Sequence, residues 1–529
     1  MSGDIPVIER HRTPVFGVLP VAARTRLSHL FDQLEVALSV RFAAGVDEAS
    51  AGLVEIVEHG SQFAARHDLP HLMLFRAVRS TGVTTSVSFA TRPNLVDQAF
   101  AGRTLSHRAL EPLPVARGAG AEIGATSTEG ALWTRTDAAE FVAGAEELED
   151  GHSLRAKLGT DGFLPIVALV QFVRRHHPAP WRSSAIEAAF LFDDPNLHAT
   201  RYGYIDFREL AEAGSDEGFH TAFATIPLDT WFASRRAVRL FQSETSALSL
   251  IVHGNDHLKR ELGETDPHKL DTLMQCALDR VGRFERRHGV ALERVMAPPH
   301  GACSFEAADA LRRFGFEALC VSRPYPWLSG PPADRPLAGW RPTEVVAGGL
   351  PVVPRTPFGA SERDLCIRAF LRQPIIIYGH HGDVADGLDV LRSMVDIVGS
   401  FGVSRWRSVG GILRGLYDHR LEGDVLVVRP HALTTDVDVP RDARWIRVEP
   451  HGSFGRVVVR VGGVSTADNG TFEVVNGCRA RVELRSEEDV CAVARRPRPA
   501  LLAYGRRALT EGRDRAQPVL RRRGRRSDA

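Results

Sequence analysis

The chain has 529 residues, of which 43% are hydrophobic and 25% are charged, and its formal net charge is +1. This length exceeds that of a typical single domain, so we expect two to four domains that each bury a core. The balanced charge excludes a strong overall attraction to nucleic acid, and no apolar run reaches the roughly 18 residues needed to span a bilayer. The six cysteines form no CxxC pair and the first residues do not read as a secretion signal. We therefore expect a cytoplasmic protein with free thiols.

Residues 1–177 mix helical and strand patterns. Apolar periodicity predicts strands at 71–77 and 84–89 and helices at 24–42, 49–67 and 164–176. The run His177-Pro-Ala-Pro-Trp then indicates a boundary, because proline cannot continue a helix. We predict an N-terminal mixed α/β accessory region over 1–177.

From 178 to 420 the pattern alternates between apolar runs and amphipathic helices. The apolar runs predicted to be strands are 188–192, 221–226, 248–252, 295–297, 318–321, 350–353 and 374–378. Alternation of this kind is typical of parallel strands covered by helices. In such folds the reactive side chains lie at the carboxyl ends of the strands. Polar residues follow four of these runs, so we expect them to meet in one place.

The last part of the chain divides into two regions. Short alternating strands over 421–491 predict a small antiparallel β-domain of sandwich type. After it, 492–529 is a basic tail with twelve arginines against Glu511, Asp514 and Asp528, which we expect to be partly helical or disordered. We expect this tail to serve location rather than chemistry. A free solvated end and a peripheral contact with an anionic membrane are the two interpretations.

Two short motifs combine carboxylates with histidines. Asp193 and Asp194 end an apolar run, and His253 and His257 follow another, four residues apart. Two imidazoles and one carboxylate are a common hydrolytic zinc set. Two adjacent carboxylates are costly without a cation, since like charges raise the pKa of one of them. We therefore predict a divalent metal site, with Zn²⁺ as the expected ion.

With two later motifs, these residues resemble the polysaccharide deacetylase superfamily (carbohydrate esterase family four, chitooligosaccharide deacetylase-like), as a divergent member. The later motifs are Ala297-Pro298-Pro299-His300-Gly301 and Ile377-Tyr378-Gly379-His380-His381, and the order and spacing match over about 182–415. The resemblance implies an α/β fold whose central domain is a distorted (β/α)7-type barrel. The N-terminal α/β region and the C-terminal β-domain lie outside the resemblance.

The resemblance also implies a role for each motif residue. Asp194, His253 and His257 would hold the metal, and Asp193 would be the base that takes a proton from water. His380 or His381 would protonate the leaving amine, and both stay open as the acid. A backbone N–H in the turn Pro299-His300-Gly301 would stabilise the oxyanion.

Three departures from the family pattern leave the substrate class open. The arginine that orients the base in the family is Ala297 here, and Arg355 or Arg294 are the candidates to replace it. The tyrosine of the third motif is His300, and the late histidine is doubled. Aromatic residues on a Pro-rich segment either stack on sugar rings or form a loop core: Tyr325, Trp327 and Trp340.

Three functions compete at this point. The leading one is a metal-dependent N-deacetylase acting on an N-acetylated sugar in a glycan or glycoconjugate precursor. The first alternative keeps the metal and cleaves a non-sugar amide, as another C–N hydrolase of the same superfamily. The second is a degenerate barrel that binds glycan without turnover, although a dead site has no physical need for a buried charged cluster. A carbohydrate or glycoconjugate is the expected partner in the leading case, and no nucleic acid is expected.

Overall fold

The structure is a computed structural model that describes residues 13–58, 68–76, 83–113, 120–148, 152–183, 185–258, 260–322, 339–346, 349–402, 404–450, 456–461, 464–467, 471–474, 477–485 and 501–527. The chain forms two compact units. The first is Met1–Trp181 with Ser329–Arg341 and Ser361–Leu371, and the second is Arg182–Leu328 with Pro342–Ala360 and Arg372–Ala529. No helix among the described residues is both long and apolar enough to cross a membrane.

The first unit is built on one nine-stranded sheet. Its strands are β1 (Val15–Leu19), β2 (Arg41–Ala44), β3 (Gly52–Val57), β4 (His71–Arg76), β5 (Thr84–Phe89), β6 (Thr104–Arg108), β7 (Glu122–Thr126), β8 (Ala131–Arg135) and β9 (Glu140–Ala145). Its helices before Trp181 are α1 (Val21–Arg26), α2 (Ser28–Leu38), α3 (Leu154–Leu158) and α4 (Leu164–His176). The strand order is β2-β1-β3-β4-β9-β8-β7-β5-β6, parallel from β2 to β9 and antiparallel beyond.

The helix predicted over 49–67 is wrong where the structure describes this segment. Residues Gly52–Val57 form the central strand β3, and all six are buried. A parallel strand buried on both faces is a continuous apolar run without alternation, and periodicity alone cannot distinguish such a run from a buried helix. The helix predicted over 24–42 is α2, which ends at Leu38, and the chain then enters β2.

The elements from Arg182 to Gly415 alternate as expected. In chain order they are β10 (Arg182–Ser183), β11 (Ile186–Asp193), β12 (Arg201–Tyr202), β13 (Ile205–Asp206), α5 (Phe207–Glu217), β14 (Thr221–Thr225), α6 (Arg235–Ser243), β15 (Leu248–Val252), α7 (Pro267–His288), β16 (Leu292–Met296), α8 (Phe305–Arg313), β17 (Ala318–Val321), β18 (Glu344–Val346), β19 (Leu350–Pro357), α9 (Glu362–Phe370), β20 (Ile375–Gly379), α10 (Asp389–Gly399), β21 (Ser404–Trp406) and α11 (Val409–Gly415). Helix α9 belongs to the segment grouped with the first unit.

Seven of these strands close into a parallel barrel, which confirms the predicted fold class. The ring runs β14-β15-β16-β17-β19-β20-β11, and β11 pairs with β14 as well as with β20. Alternate residues of every strand in the ring meet in one buried cluster, including Ala189 and Leu191 of β11 and Ala222 and Ala224 of β14. Small side chains suit the interior of a barrel with so few strands. The phenylalanines on the other face of β11, Phe190 and Phe192, stack instead on Phe358.

A β-sandwich follows the barrel, as predicted. Its strands are β22 (Tyr417–Glu422), β23 (Val425–Pro430), β24 (Thr434–Asp438), β25 (Trp445–Val448), β26 (Arg456–Val461), β27 (Val464–Ala467), β28 (Thr471–Glu473) and β29 (Arg479–Arg485). Two sheets, β10-β22-β23-β25-β28 and β24-β29-β26-β27, share one apolar core. All their pairings are antiparallel except β23 with β25.

The arginine-rich tail forms a helix, α12 (Leu501–Ser527), that packs on loops of the barrel unit. Arg507 and Asp229 form a buried ion pair at 2.7 Å, with both side chains 5% exposed. Ala503 packs with Ile226 and Leu228 in a small apolar cluster. The Tyr202 hydroxyl donates to Asp514 at 2.9 Å. Residues 503, 507 and 514 share one face of a helix, so this face holds α12 in place.

The pair His198 and Glu511 adds a charged contact to the same interface. His198 Nδ1 lies 2.9 Å from the Glu511 carboxylate, and Nε2 lies 2.8 Å from the carbonyl oxygen of Asp229. Both ring nitrogens face acceptors, so the protonated imidazole satisfies the site. Burial would lower the pKa of His198, but Glu511 outweighs burial and raises it above 6.5. Burial would raise the pKa of Glu511, but His198 and Arg515 lower it to about 2.

These shifts predict that docking of α12 depends on pH. The raised pKa of His198 gives stabilisation that is complete below pH 6.5 and is lost as pH rises through the folded value. The lowered pKa of Glu511 gives stabilisation that is complete above pH 4.5 and is lost as pH falls towards about 2. We expect hydrogen exchange of the α12 amides, corrected for intrinsic rates, to be slowest between these limits. It should quicken at higher pH, because the positive charge on His198 that pairs with Glu511 is then lost.

His198→Gln is the matched variant for this measurement. It removes the titrating ring while it keeps a side chain that can donate one hydrogen bond. We expect α12 in this variant to exchange faster at pH 6 and to lose the change above pH 6.5. An identical pH profile in the variant and the parent chain would contradict the assignment.

Candidate active site

A cavity of about 710 Å³ opens at the carboxyl ends of the barrel strands. Its lining residues come from several strand ends and from α12: Asp193, Asp194, His253, His257, His300, Gly301, Ser322, Arg355, Tyr378, His380, Arg506, Arg507, Thr510 and Arg513. Closure of the barrel brings them together, because Asp193 ends β11, His253 follows β15 and His380 follows β20. The sequence expectation that polar residues meet at this edge therefore agrees with the structure.

One carboxylate and two imidazoles converge inside this cavity. Ligand atoms of Asp194, His253 and His257 all lie within 4.8 Å of one another. Asp194 Oδ1 is 3.2 Å from His257 Nε2 and 3.7 Å from His253 Nε2. His253 Nδ1 donates to the carbonyl oxygen of Ala297 at 2.8 Å, which leaves Nε2 as the lone-pair nitrogen facing Asp194.

The donor set fits a divalent cation. Asp194 Oδ1 is buried and has no hydrogen-bond partner among the described residues. A buried anionic oxygen without a donor is costly, and a cation between the three groups removes that cost. Burial lowers the pKa of His257 to about 4 and also lowers the pKa of His253, so both rings are neutral, the form that binds metal.

The loop that carries His257 is held by a buried carboxylate. Glu261 accepts the backbone N–H groups of Asn255, Asp256 and His257 at 2.9, 3.1 and 3.2 Å. Burial raises the pKa of Glu261 to about 7. Gly254, at φ +63°, lets this carboxylate approach, because a Cβ there would lie 1.8 Å from Glu261 Oε1. Glu261 therefore fixes the backbone of the residues between the two histidines.

Asp193 is paired with a buried arginine. Arg355 Nη1 lies 2.7 Å from Asp193 Oδ1, and the two side chains are 3% and 6% exposed. Burial alone would raise the pKa of Asp193, but Arg355 and His253 outweigh burial and lower it. The Arg355 guanidinium also lies 4.1 Å from the centre of the Tyr378 ring. Of the two arginines that the sequence offers, only Arg355 contacts Asp193, because Arg294 pairs with Glu285 at 2.8 Å.

The doubled histidine places its two rings differently. His380 lines the cavity together with Asp193. His381 stacks on Tyr204 with ring centres 5.7 Å apart and lies 3.7 Å from Asp514. His380 is therefore the histidine of the pair that the cavity can use.

The turn Pro299–Gly301 forms another wall of the cavity. The His300 ring lies 4.9 Å from the His257 ring, and His300 has φ 57°. The Gly301 N–H already donates to the carbonyl oxygen of Pro298 at 3.0 Å, so it is engaged within the turn. Positive φ angles also occur at Asp194 and His257, and such non-glycine strain clusters at functional sites.

The structure describes one of the three aromatic residues proposed to stack on sugar. Tyr325 and Trp327 lie outside the described residues. Trp340 is described and is 5% exposed. The loop-core interpretation therefore fits Trp340.

The sequence predicts a tail that lies away from the motif residues, whereas the structure places part of it at the cavity. Four residues of α12, Arg506, Arg507, Thr510 and Arg513, line the cavity. The β-sandwich lies between the barrel strands and α12 in the sequence, yet α12 contacts loops of the barrel. Contacts across such distances leave no local pattern, so sequence reasoning missed these residues. It also missed Glu261, which accepts three backbone N–H groups of the loop.

No family model and no curated protein matches the chain. Several solved structures are similar to it at low identity. The T48 deacetylase, solved with substrate, is 13% identical, covers 44% of this chain and 92% of its own, and has a TM-score of 0.26. A family 4 carbohydrate esterase from Streptomyces lividans, in complex with acetate, is 12% identical, with coverages of 41% and 88% and a TM-score of 0.25.

A family 4 pseudoenzyme from Bacillus anthracis is also similar. It is 11% identical, with coverages of 42% and 68% and a TM-score of 0.25. The similar structures thus include both enzymes and a pseudoenzyme of carbohydrate esterase family four. At this identity and these TM-scores the likeness assigns no residue and no activity to this chain.

Proposed function

We propose that this chain is a metal-dependent hydrolase that removes the acetyl group from an N-acetylated sugar in a glycan or glycoconjugate precursor. One observation carries the proposal: Asp194, His253 and His257 converge within 4.8 Å beside a second aspartate. That second aspartate, Asp193, is held by Arg355. The donor set suits Zn²⁺, which would lower the pKa of water and polarise the amide carbonyl.

Asp193 is the base in this proposal. It takes a proton from the water that attacks the amide carbon, and Arg355 keeps its carboxylate ionised and oriented. The pair is buried, and both of its residues line the cavity. General bases placed in this way contribute about 10²- to 10⁴-fold to the rate.

His380 is the acid in this proposal. It donates a proton to the departing nitrogen as the C–N bond breaks, so the products are acetate and an amine. His380 lines the same cavity as Asp193, whereas His381 is turned towards Asp514. We propose His380 as the acid because it lines the cavity and His381 is not among the lining residues.

Removal of one ligand should remove the metal. We expect full-length His257→Ala to lose more than about 100-fold in affinity for Zn²⁺, more than the 10- to 100-fold that changes around a ligand cost. Metal content of the purified protein, measured by mass spectrometry, gives the result. His381→Ala is the control, since it removes a nearby histidine outside the cluster and should keep the metal. Stoichiometric metal in the double variant His253→Ala/His257→Ala would show that the site is elsewhere.

Substitution of the two adjacent aspartates should have different effects. Asp194→Asn should lose metal, whereas Asp193→Asn should keep metal and lose about 10²- to 10⁴-fold in kcat for acetate release. Metal content, acetate release from N-acetylglucosamine oligomers and thermal unfolding are measured on each variant. Equal metal loss in both variants would contradict the division of roles. Release from a non-sugar acetamide alone would replace the sugar substrate by the alternative amide.

A further inference from the structure

We propose that α12 forms the substrate-binding wall of the cavity and that Arg506 and Arg513 bind an anionic group of the substrate. This inference rests on the proposed function and names the substrate class, an N-acyl compound that also carries a phosphate or a carboxylate. A carboxylate has two charged oxygens in one plane, and a phosphate has three in a tripod. A guanidinium binds either arrangement through paired hydrogen bonds.

The spacing on α12 separates a docking face from a cavity face. Arg507 and Asp514 are buried against the barrel loops. Arg506, Thr510 and Arg513, at i, i+4 and i+7, form the neighbouring face and line the cavity. The first face fixes the helix, so the second presents its arginines in defined positions.

Most of the arginines that line the cavity are paired with a carboxylate. Arg355 is neutralised by Asp193, and Arg507 by Asp229. Arg506 donates to the carbonyl oxygens of Asp256 and His257 at 3.1 and 2.6 Å, and no carboxylate of the described chain forms an ion pair with it.

Arg513 forms an ion pair with the neighbouring Asp514. Its Nε and Nη2 lie 2.9 and 2.8 Å from one Asp514 oxygen, and its side chain is 69% exposed. The other Asp514 oxygen accepts from Tyr202. The exposed Arg513 guanidinium thus keeps its Nη1 donors for a ligand beside the charge of Arg506.

A neutral acetylated sugar would leave Arg506 without an anionic partner. A substrate with an anionic group would pair with Arg506 and accept from Arg513 while its acetamide reaches Asp193 and His380. Arg506 also contacts the backbone of His257, so the proposed anion site lies beside the loop that carries His257. The same cavity therefore contains a site for the acyl group and a site for the anion.

The test compares three probes on the full-length, metal-loaded protein. N-Acetylglucosamine is neutral, N-acetylglucosamine 1-phosphate carries a phosphate, and N-acetylmuramic acid carries a carboxylate. Acetate release gives kcat and KM for each, and calorimetry on the Asp193→Asn chain gives Kd without turnover. Arg513→Gln and Arg506→Gln remove the proposed contacts. Arg521→Gln is the matched control, because Arg521 is on the same helix, pairs with Asp386 and does not line the cavity.

We expect Arg513→Gln to raise KM and Kd for a charged probe by about 10- to 100-fold, with KM for the neutral sugar changed less than about twofold. Arg521→Gln should change neither. The charged probe that responds identifies phosphate or carboxylate. Equal effects on charged and neutral probes, or no effect, would overturn the proposal. Binding that depends on Arg513 without acetate release from any probe would support the anion site and overturn the proposed deacetylation.

Discussion

Closure of the seven-stranded ring by β11 is the constraint on which the rest of the structure depends. β11 pairs with both β14 and β20, so the first and last parts of the barrel segment meet on one strand. Asp193 and Asp194 stand at its carboxyl end, and closure brings Arg355, His253 and His380 around them. An open sheet would spread the same residues along a line, whereas the ring places them on one rim.

Two buried ion pairs lie beside this rim. The pair Asp193–Arg355 and the pair Arg507–Asp229 each satisfy their charges internally. Such pairs contribute little net stability, because desolvation offsets much of the attraction, but removal of one partner costs about 3–5 kcal/mol. The cluster of Asp194, His253 and His257 lacks a charge partner of this kind. The rim thus has two charge pairs that satisfy each other and one cluster whose donor set fits a cation.

Much of this could be predicted from local sequence, and the failures have physical causes. The barrel strands correspond to apolar runs in the sequence, and Asp193, His253 and the pair His380–His381 were identified because they follow such runs. Arg355 was one of two candidates, and only the register of β19 beside β20 selects it. A helix was wrongly predicted over 49–67 because a central parallel strand is apolar on both faces and lacks the alternation that identifies a strand. The α12 residues were missed because Arg507 and Asp229 are 278 positions apart in the chain.

That separation has a consequence for how the protein is made. Domains fold largely in the order in which they leave the ribosome, at about 5–20 residues per second. The barrel strands are therefore complete well before Leu501–Ser527 is synthesised. In this interval Asp229 lacks Arg507, and the cavity lacks the α12 residues that line it. The cavity as described therefore forms only after α12 has been synthesised.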